Sequence, residues 1–116
     1  LKISNPALTA TDLIQYAKRV GGINRVATVL AELAESIQPD AFDTNLLQHV
    51  PVTALQRMGY LLDKVLDNQQ LANALYMALQ NHNAPLFRTP LKASAPASGC
   101  ASDEKWKVIV NELIYL

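Results

Sequence analysis

Cysteine, histidine and aromatic residues are scarce in this 116-residue chain, and each shortage excludes a class of function. The single cysteine, Cys100, has no partner for an internal disulfide and no second thiol for a zinc cluster, which fits a reducing cytoplasm. The two histidines, His49 and His82, lie far apart, and neither has a carboxylate at i+3 or i+4 to form a helical metal-ligand pair. We therefore predict no catalytic residue, no cofactor and no metal, which makes an enzyme the least favoured function.

Long apolar runs are also missing. No stretch approaches the roughly 20 residues that cross a bilayer, and no signal peptide is visible, so we expect a cytoplasmic protein without membrane contact. Half of the residues are hydrophobic but only 6% are aromatic, so the core is expected to consist mainly of Leu, Val, Ile and Ala. The length and composition predict a single domain over residues 1–116.

The formal net charge is zero, whereas a dedicated nucleic-acid module usually carries a basic excess. The charge is nevertheless uneven: residues 1–31 hold four basic side chains against Asp12 alone, a net +3, and residues 32–67 hold two against six acidic ones, a net −4. This asymmetry suits electrostatic steering of a partner, although a solvated surface with chance asymmetry explains it equally well. The candidate residues for contact with DNA or a partner protein are Lys18, Arg19, Arg25 and Arg57.

Apolar spacing and helix-breaking residues predict five helices. Pro6 follows the capping residues Ser4 and Asn5 and opens the first helix, which ends at Gly21-Gly22. Its expected apolar side comprises Leu8, Leu13, Tyr16, Ala17 and Val20. The second helix runs from about Ile23 to Ile37, a short third one begins near Asp40, and the fourth and fifth carry apolar stripes over 52–66 and 69–80. Gly59 inside the fourth helix predicts a close helix–helix approach.

The C-terminal third has a different character. Residues 84–91 are expected to be extended, Lys92–Asp103 to form a mobile loop, and Trp106–Val110 to form a strand with a period of two. Leu1–Ser4 is the other strand candidate. The predicted fold class is therefore mainly α (α+β), a bundle of about five helices with a small sheet formed by strands near the N- and C-terminal ends.

Five segments are more informative in their order along the chain than any one of them is alone: Ser4 to Tyr16, Gly21-Gly22, Ala27 to Leu33, Gln56 to Leu62, and Trp106 to Asn111. In that order they resemble the C-terminal domain of the AbiEi antitoxins, which belong to the abortive-infection, type IV toxin–antitoxin systems of bacteria. The helix Gln56-Arg57-Met58-Gly59-Tyr60-Leu61-Leu62 is similar to the family's "Q-R-L-G-Y-L-L" segment. Together these segments extend the resemblance over most of the chain.

The resemblance implies a non-catalytic antitoxin and transcriptional regulator in phage defence. It implies that the domain neutralises a nucleotidyltransferase-type toxin and supports autorepression of its operon, with no small-molecule substrate. Operator DNA would be bound by an upstream winged-helix domain, which this sequence lacks, so we expect the chain to be a fragment. The alternative from a different class is an autonomous helical adaptor for other proteins with no nucleic-acid role, which the neutral charge favours slightly.

Overall fold

The computed structural model describes residues 6–92, 99–111 and 114, and within these residues five α-helices precede a three-stranded sheet. The predicted mainly α fold with a small sheet is thereby confirmed. The predicted strand Leu1–Ser4 and the capping residues Ser4 and Asn5 lie outside the described residues. The helices are α1 (Pro6–Gln15), α2 (Ile23–Leu33), α3 (Thr44–His49), α4 (Val52–Tyr60) and α5 (Gln69–Asn81).

Helix α1 turns a different face inward from the one predicted. Its buried residues are Ala7, Ala10, Thr11 and Ile14, spaced at i, i+3, i+4 and i+7, whereas Leu8 is 39% exposed. The small alanine side chains allow α1 to pack closely on α2 and α4. Leu8 and Tyr16, two of the larger apolar residues on which the prediction was based, are exposed. The close packing of α1 against its neighbours, and not the size of its side chains, therefore determines which face is buried.

The prediction that the first helix ends at Gly21-Gly22 is confirmed only in part. The α-helix ends at Gln15, earlier than predicted, and a 3-10 turn at Ala17–Val20 continues the chain to the glycines. Gly21 has φ of 104° and Gly22 has φ of 96°, both in the region that side chains disfavour. Helix α2 then buries Ile23, Val26, Ala27 and Leu30 on one stripe, as predicted. It ends at Leu33 and not near Ile37, because the chain tightens into a 3-10 turn at Ala34–Ser36.

Local capping interactions fix the ends of the shorter helices. The carboxylate of Asp43 accepts a hydrogen bond from the Leu46 backbone N–H at 2.9 Å and caps α3. The side chain of Asn68 accepts from the Leu71 N–H at 3.2 Å and caps α5. At the other end of α5, Asn83 adopts a left-handed conformation with φ of 57° and closes the helix.

The sheet consists of β1 (Thr89–Pro90), β2 (Ser102–Asp103) and β3 (Val108–Ile109) in the order β1-β3-β2. Strand β1 runs parallel to β3 and β2 runs antiparallel to it. The predicted Lys92–Asp103 loop is therefore wrong at its end, because Ser102 and Asp103 pair with β3. Residues 93–98 of that predicted loop lie outside the described residues. The described part of the sheet joins segments from the C-terminal third only. Pro90 lacks an N–H but lies on an edge strand, where that donor is not required.

Helix α4 packs against α1, α5, β1 and β3 and so occupies the centre of the fold. A π-helical turn at Leu61–Val65 continues it. Leu55, Met58, Leu61 and Leu62 are fully buried along this axis. Gly59 lies against Trp106, and a Cβ at this position would overlap the indole carbons. The predicted close approach is therefore made by an indole ring and not by a second helix.

Candidate partner-binding surface

Two of the four predicted basic contact residues lie exposed at the corner between α1 and α2. The guanidinium carbon of Arg19 lies 5.7 Å from the centre of the Tyr16 ring, within cation–π range. Arg25 lies beside Gly21, where a Cβ would come within 3.3 Å of the Arg25 Cβ. We call Tyr16, Arg19 and Arg25 the basic corner. It presents two cations and an aromatic ring that is 54% exposed, an arrangement that suits an anionic partner surface.

The other two predicted contact residues, Lys18 and Arg57, are not part of this exposed surface as described. Lys18 belongs to the 3-10 turn of the same corner, but its side chain lies outside the described part of the structure. Arg57 is half-buried on α4, and its Nε donates a hydrogen bond to the Pro90 carbonyl at 2.8 Å. Burial lowers the pKa of the Arg57 guanidinium from its ordinary value. Arg57 therefore anchors β1, and its contact with a partner stays a prediction.

A second polar cluster joins α4 to the C-terminal third. The fully buried Gln56 amide donates from Nε2 to the Phe87 carbonyl at 2.7 Å and to the Trp106 carbonyl at 2.8 Å. These two carbonyls belong to segments 31 and 50 residues further along the chain. Since a buried carbonyl without a donor is costly, Gln56 holds both segments in place against α4.

Asp63 on the π-helical turn is the centre of this cluster. Its Oδ2 accepts from the Trp106 indole Nε1 at 2.9 Å and lies 3.5 Å from the Lys105 ammonium, and its Oδ1 accepts from Gln69 Nε2 at 2.9 Å. Burial opposes ionisation of Asp63. The hydrogen bonds from Trp106 and Gln69 and the charges of Lys105 and Lys64 outweigh it, so the pKa of the carboxyl is lowered.

Trp106 lies in the turn between β2 and β3 and not on a strand, which corrects the prediction of its local structure. It is fully buried, and its ring meets Tyr76 edge to face at 5.3 Å between centroids. Lys107 immediately after it has φ of 56°, which interrupts the extended backbone that a period of two requires. Its complete burial makes Trp106 part of the hydrophobic core.

The histidines and the cysteine remain separate from these clusters. His49 ends α3, and its Nδ1 lies 2.7 Å from the Asn45 carbonyl. Cys100 and His82 are exposed. Among the described residues, no group of three or more His, Cys, Asp or Glu side chains is placed to hold a metal. No helix in the described ranges is both long and apolar enough to span a membrane.

Neither Gln56 nor Asp63 was predicted as a contact residue from the sequence. A signal was present: Gln56, Gly59 and Asp63 are spaced at i, i+3 and i+7 and so share one face of α4 and its continuation. Two polar residues and a glycine on one face predict a polar contact with another segment. The identity of that segment required the tertiary structure, because Phe87 and Trp106 lie far along the chain.

The model of one protein family, described as the AbiEi antitoxin C-terminal domain, matches residues 1–64, which is more than half of the chain. The match includes the basic corner, α2 and all of α4, and it ends at Lys64, next to Asp63. No curated protein and no solved structure gives a significant match.

Proposed function

Because this chain belongs to the family of AbiEi antitoxin C-terminal domains, we propose that it is a non-catalytic antitoxin domain that neutralises a nucleotidyltransferase-type toxin in the bacterial cytoplasm. The family match over residues 1–64 carries the proposal. The described residues of that match contain features suited to protein contact, namely the exposed basic corner and a helical core that supports it. The domain would act within an abortive-infection system, which limits the spread of phage.

The proposal extends to regulation of the operon. A winged-helix domain upstream of this domain would bind the operator, and the basic corner would add contacts to DNA phosphates or to an acidic partner surface. Arg19 and Arg25 of the predicted contact set are exposed. Lys18 shares their turn. Arg57, tied to Pro90, contributes chiefly by supporting the fold.

Co-expression tests the antitoxin proposal directly. The 116-residue chain is produced in bacteria together with the nucleotidyltransferase-like protein encoded beside its gene, and growth is compared with toxin alone. We expect the chain to restore growth. Restoration only by a longer product with the upstream coding region would assign the chain to support of DNA binding. The absence of rescue by either product would contradict the proposal and leave the helical adaptor.

Operator binding is measured separately by gel mobility shift with DNA from upstream of the operon. We expect the longer product to bind this DNA more tightly than the chain alone. A loss of affinity on raising the salt concentration would indicate phosphate contacts. Equal affinity for an unrelated DNA sequence would argue against a role in operator recognition.

A further inference from the structure

The exposed side of α2 carries a stripe of residues whose charge changes sign along the helix. Arg25 in the first turn, Thr28 in the middle and Glu32 in the last turn are all exposed. Their spacing at i, i+3 and i+7 places them on one face, opposite the buried stripe of the same helix. We call these three residues the α2 stripe. In the described ranges, no ion pair joins Arg25 or Glu32 to another side chain.

Both charges of the α2 stripe oppose the dipole of their own helix. The N-terminal end of a helix carries partial positive charge and the C-terminal end partial negative charge, so a cation in the first turn and an anion in the last turn each lower helix stability. Helix α2 has no acidic residue in its first turn and no basic residue in its last turn to offset this placement. Glu35 in the following 3-10 turn adds a second anion at the negative end. Because the arrangement costs helix stability, an interaction with another molecule explains it best.

We propose that the α2 stripe pairs with the α2 stripe of a second copy of this chain, antiparallel across a twofold axis. In that pairing Arg25 faces Glu32 of the second copy, and Glu32 faces Arg25 of the second copy, so one interface matches both charges of each chain. The positive end of each helix dipole then lies beside the negative end of the other. A partner surface of one charge would match only one end of the stripe, so charge complementarity selects a second copy.

The middle of the α2 stripe suits the close approach of two helices. Thr28 is short, and its hydroxyl donates to the Asn24 carbonyl of its own helix at 3.3 Å, so it requires no polar partner across the interface. The twofold axis places Thr28 opposite Val29 of the second copy, a residue that is only half-buried in the single chain. One helix from each copy forms a small interface, so the association is weak and reversible. The inference goes beyond the antitoxin function proposed above and does not depend on it.

Exchange of the two charges tests the pairing in the full chain. Arg25→Glu alone or Glu32→Arg alone opposes like charges at both ends of the interface. Both substitutions in one chain restore opposite charges and keep the net charge of the unmodified chain, and an equimolar mixture of the two single variants also restores opposite charges. Lys107→Glu and Glu104→Arg are the matched controls, because they make the same charge changes at exposed positions in the turn between β2 and β3. Circular dichroism verifies that every variant folds.

Sedimentation equilibrium over a concentration series up to about 1 mM measures the association. We expect the unmodified chain to associate, less at high salt, and each single variant on its own to associate more weakly by about tenfold or more. The double variant and the mixture should regain the association, and the two controls should behave like the unmodified chain. Thermal unfolding of dilute protein should place the double variant above the unmodified chain, because its charges agree with the helix dipole.

Several results would overturn the inference. These are an unmodified chain that stays monomeric across the series, a double variant or a mixture that associates as poorly as the single variants, and an equal loss in the controls, which would report net charge alone. Growth rescue is measured separately from association. Rescue by a chain that does not associate with itself would reject the pairing and retain the antitoxin function, whereas charge-dependent association without rescue would retain the pairing and reject that function.

Discussion

The Asp63 carboxylate accepts a hydrogen bond from the Trp106 indole N–H at 2.9 Å, across 43 positions of sequence. Both groups are buried, so each satisfies the other where water does not compete. This contact fastens the turn between β2 and β3 to the helical core. Trp106 is the single tryptophan of the chain, and its fluorescence therefore reports the integrity of this contact.

Replacing Asp63 with asparagine should flatten the dependence of stability on acidic pH. The pKa of Asp63 is lowered in the folded protein from the ordinary value of about 3.9. The unfolded chain therefore binds the proton more readily, and the stabilisation present above that value is lost as pH falls through the lowered pKa. Urea unfolding followed by Trp106 fluorescence between pH 3 and pH 7 (a range chosen around that ordinary pKa) measures the effect.

In that experiment we expect Asp63→Asn to be less stable than the unmodified chain at neutral pH and to lose less stability on acidification. Asp40→Asn serves as the control, because it removes an exposed carboxylate. Parallel curves of unfolding free energy against pH for the unmodified chain and Asp63→Asn would refute the role given to the Asp63 charge.

Gly59→Ala should destabilise the fold, although alanine favours a helix by roughly 1 kcal/mol. The added Cβ would overlap the Trp106 ring, and displacing that ring costs about 1–3 kcal/mol as in other overpacked cores. Chemical denaturation should show a lower free energy of unfolding, and the Trp106 emission should shift to longer wavelength. The control Thr53→Ala, on the exposed side of α4, should stay within about 0.5 kcal/mol. A more stable Gly59→Ala would disprove the close contact.

Gln56→Leu should cost about 1–3 kcal/mol, because it leaves the Trp106 carbonyl without the donor that it has now. The Phe87 carbonyl keeps a hydrogen bond from the Thr89 hydroxyl at 2.9 Å, so the loss falls mainly on the Trp106 side. Urea denaturation provides the measurement, and Gln48→Leu at an exposed position of α3 provides the control. Equal stability of both variants would show that the Gln56 amide contributes no net stabilisation.

Asp43→Ala should destabilise the protein by about 1 kcal/mol through loss of the helix cap, whereas Asp43→Asn should be nearly neutral. The comparison is made by thermal unfolding. It separates the capping role of Asp43 from the effect of its negative charge. Equal destabilisation by both substitutions would assign the effect to charge and not to capping.

Arg19→Gln and Arg25→Gln should each weaken association with an anionic partner by a few-fold at low salt while leaving thermal stability nearly unchanged. Both side chains are exposed, and Lys107→Gln is a control of equal charge on the turn before β3. Binding is measured against operator DNA and against the toxin at two salt concentrations. A loss equal to that of Lys107→Gln would remove the basic corner from the contact surface.

Local rules predicted much of the helical part of the fold. The diglycine corner, the apolar stripe of α2 and the extents of α4 and α5 follow from spacing and from residues that begin or end helices. The buried face of α1 was predicted wrongly because the prediction gave weight to large apolar side chains such as Leu8. The residues that are in fact buried, Ala7 and Ala10, are small. The basic corner was predicted from the sequence, but the contacts of the Asp63 carboxylate were not, because only the fold brings Lys105 and Trp106 to it.

The sequence by itself determined the order of the helices and where four of the five begin, since φ preferences, capping and apolar periodicity act over a few neighbouring residues. Only the tertiary structure decided what Gly59, Gln56 and Asp63 contact, because their partners lie about 30 to 50 residues away. It also decided the pairing of β1 with β3. Such contacts depend on how the helical core positions distant segments, and no local preference of the chain specifies that arrangement.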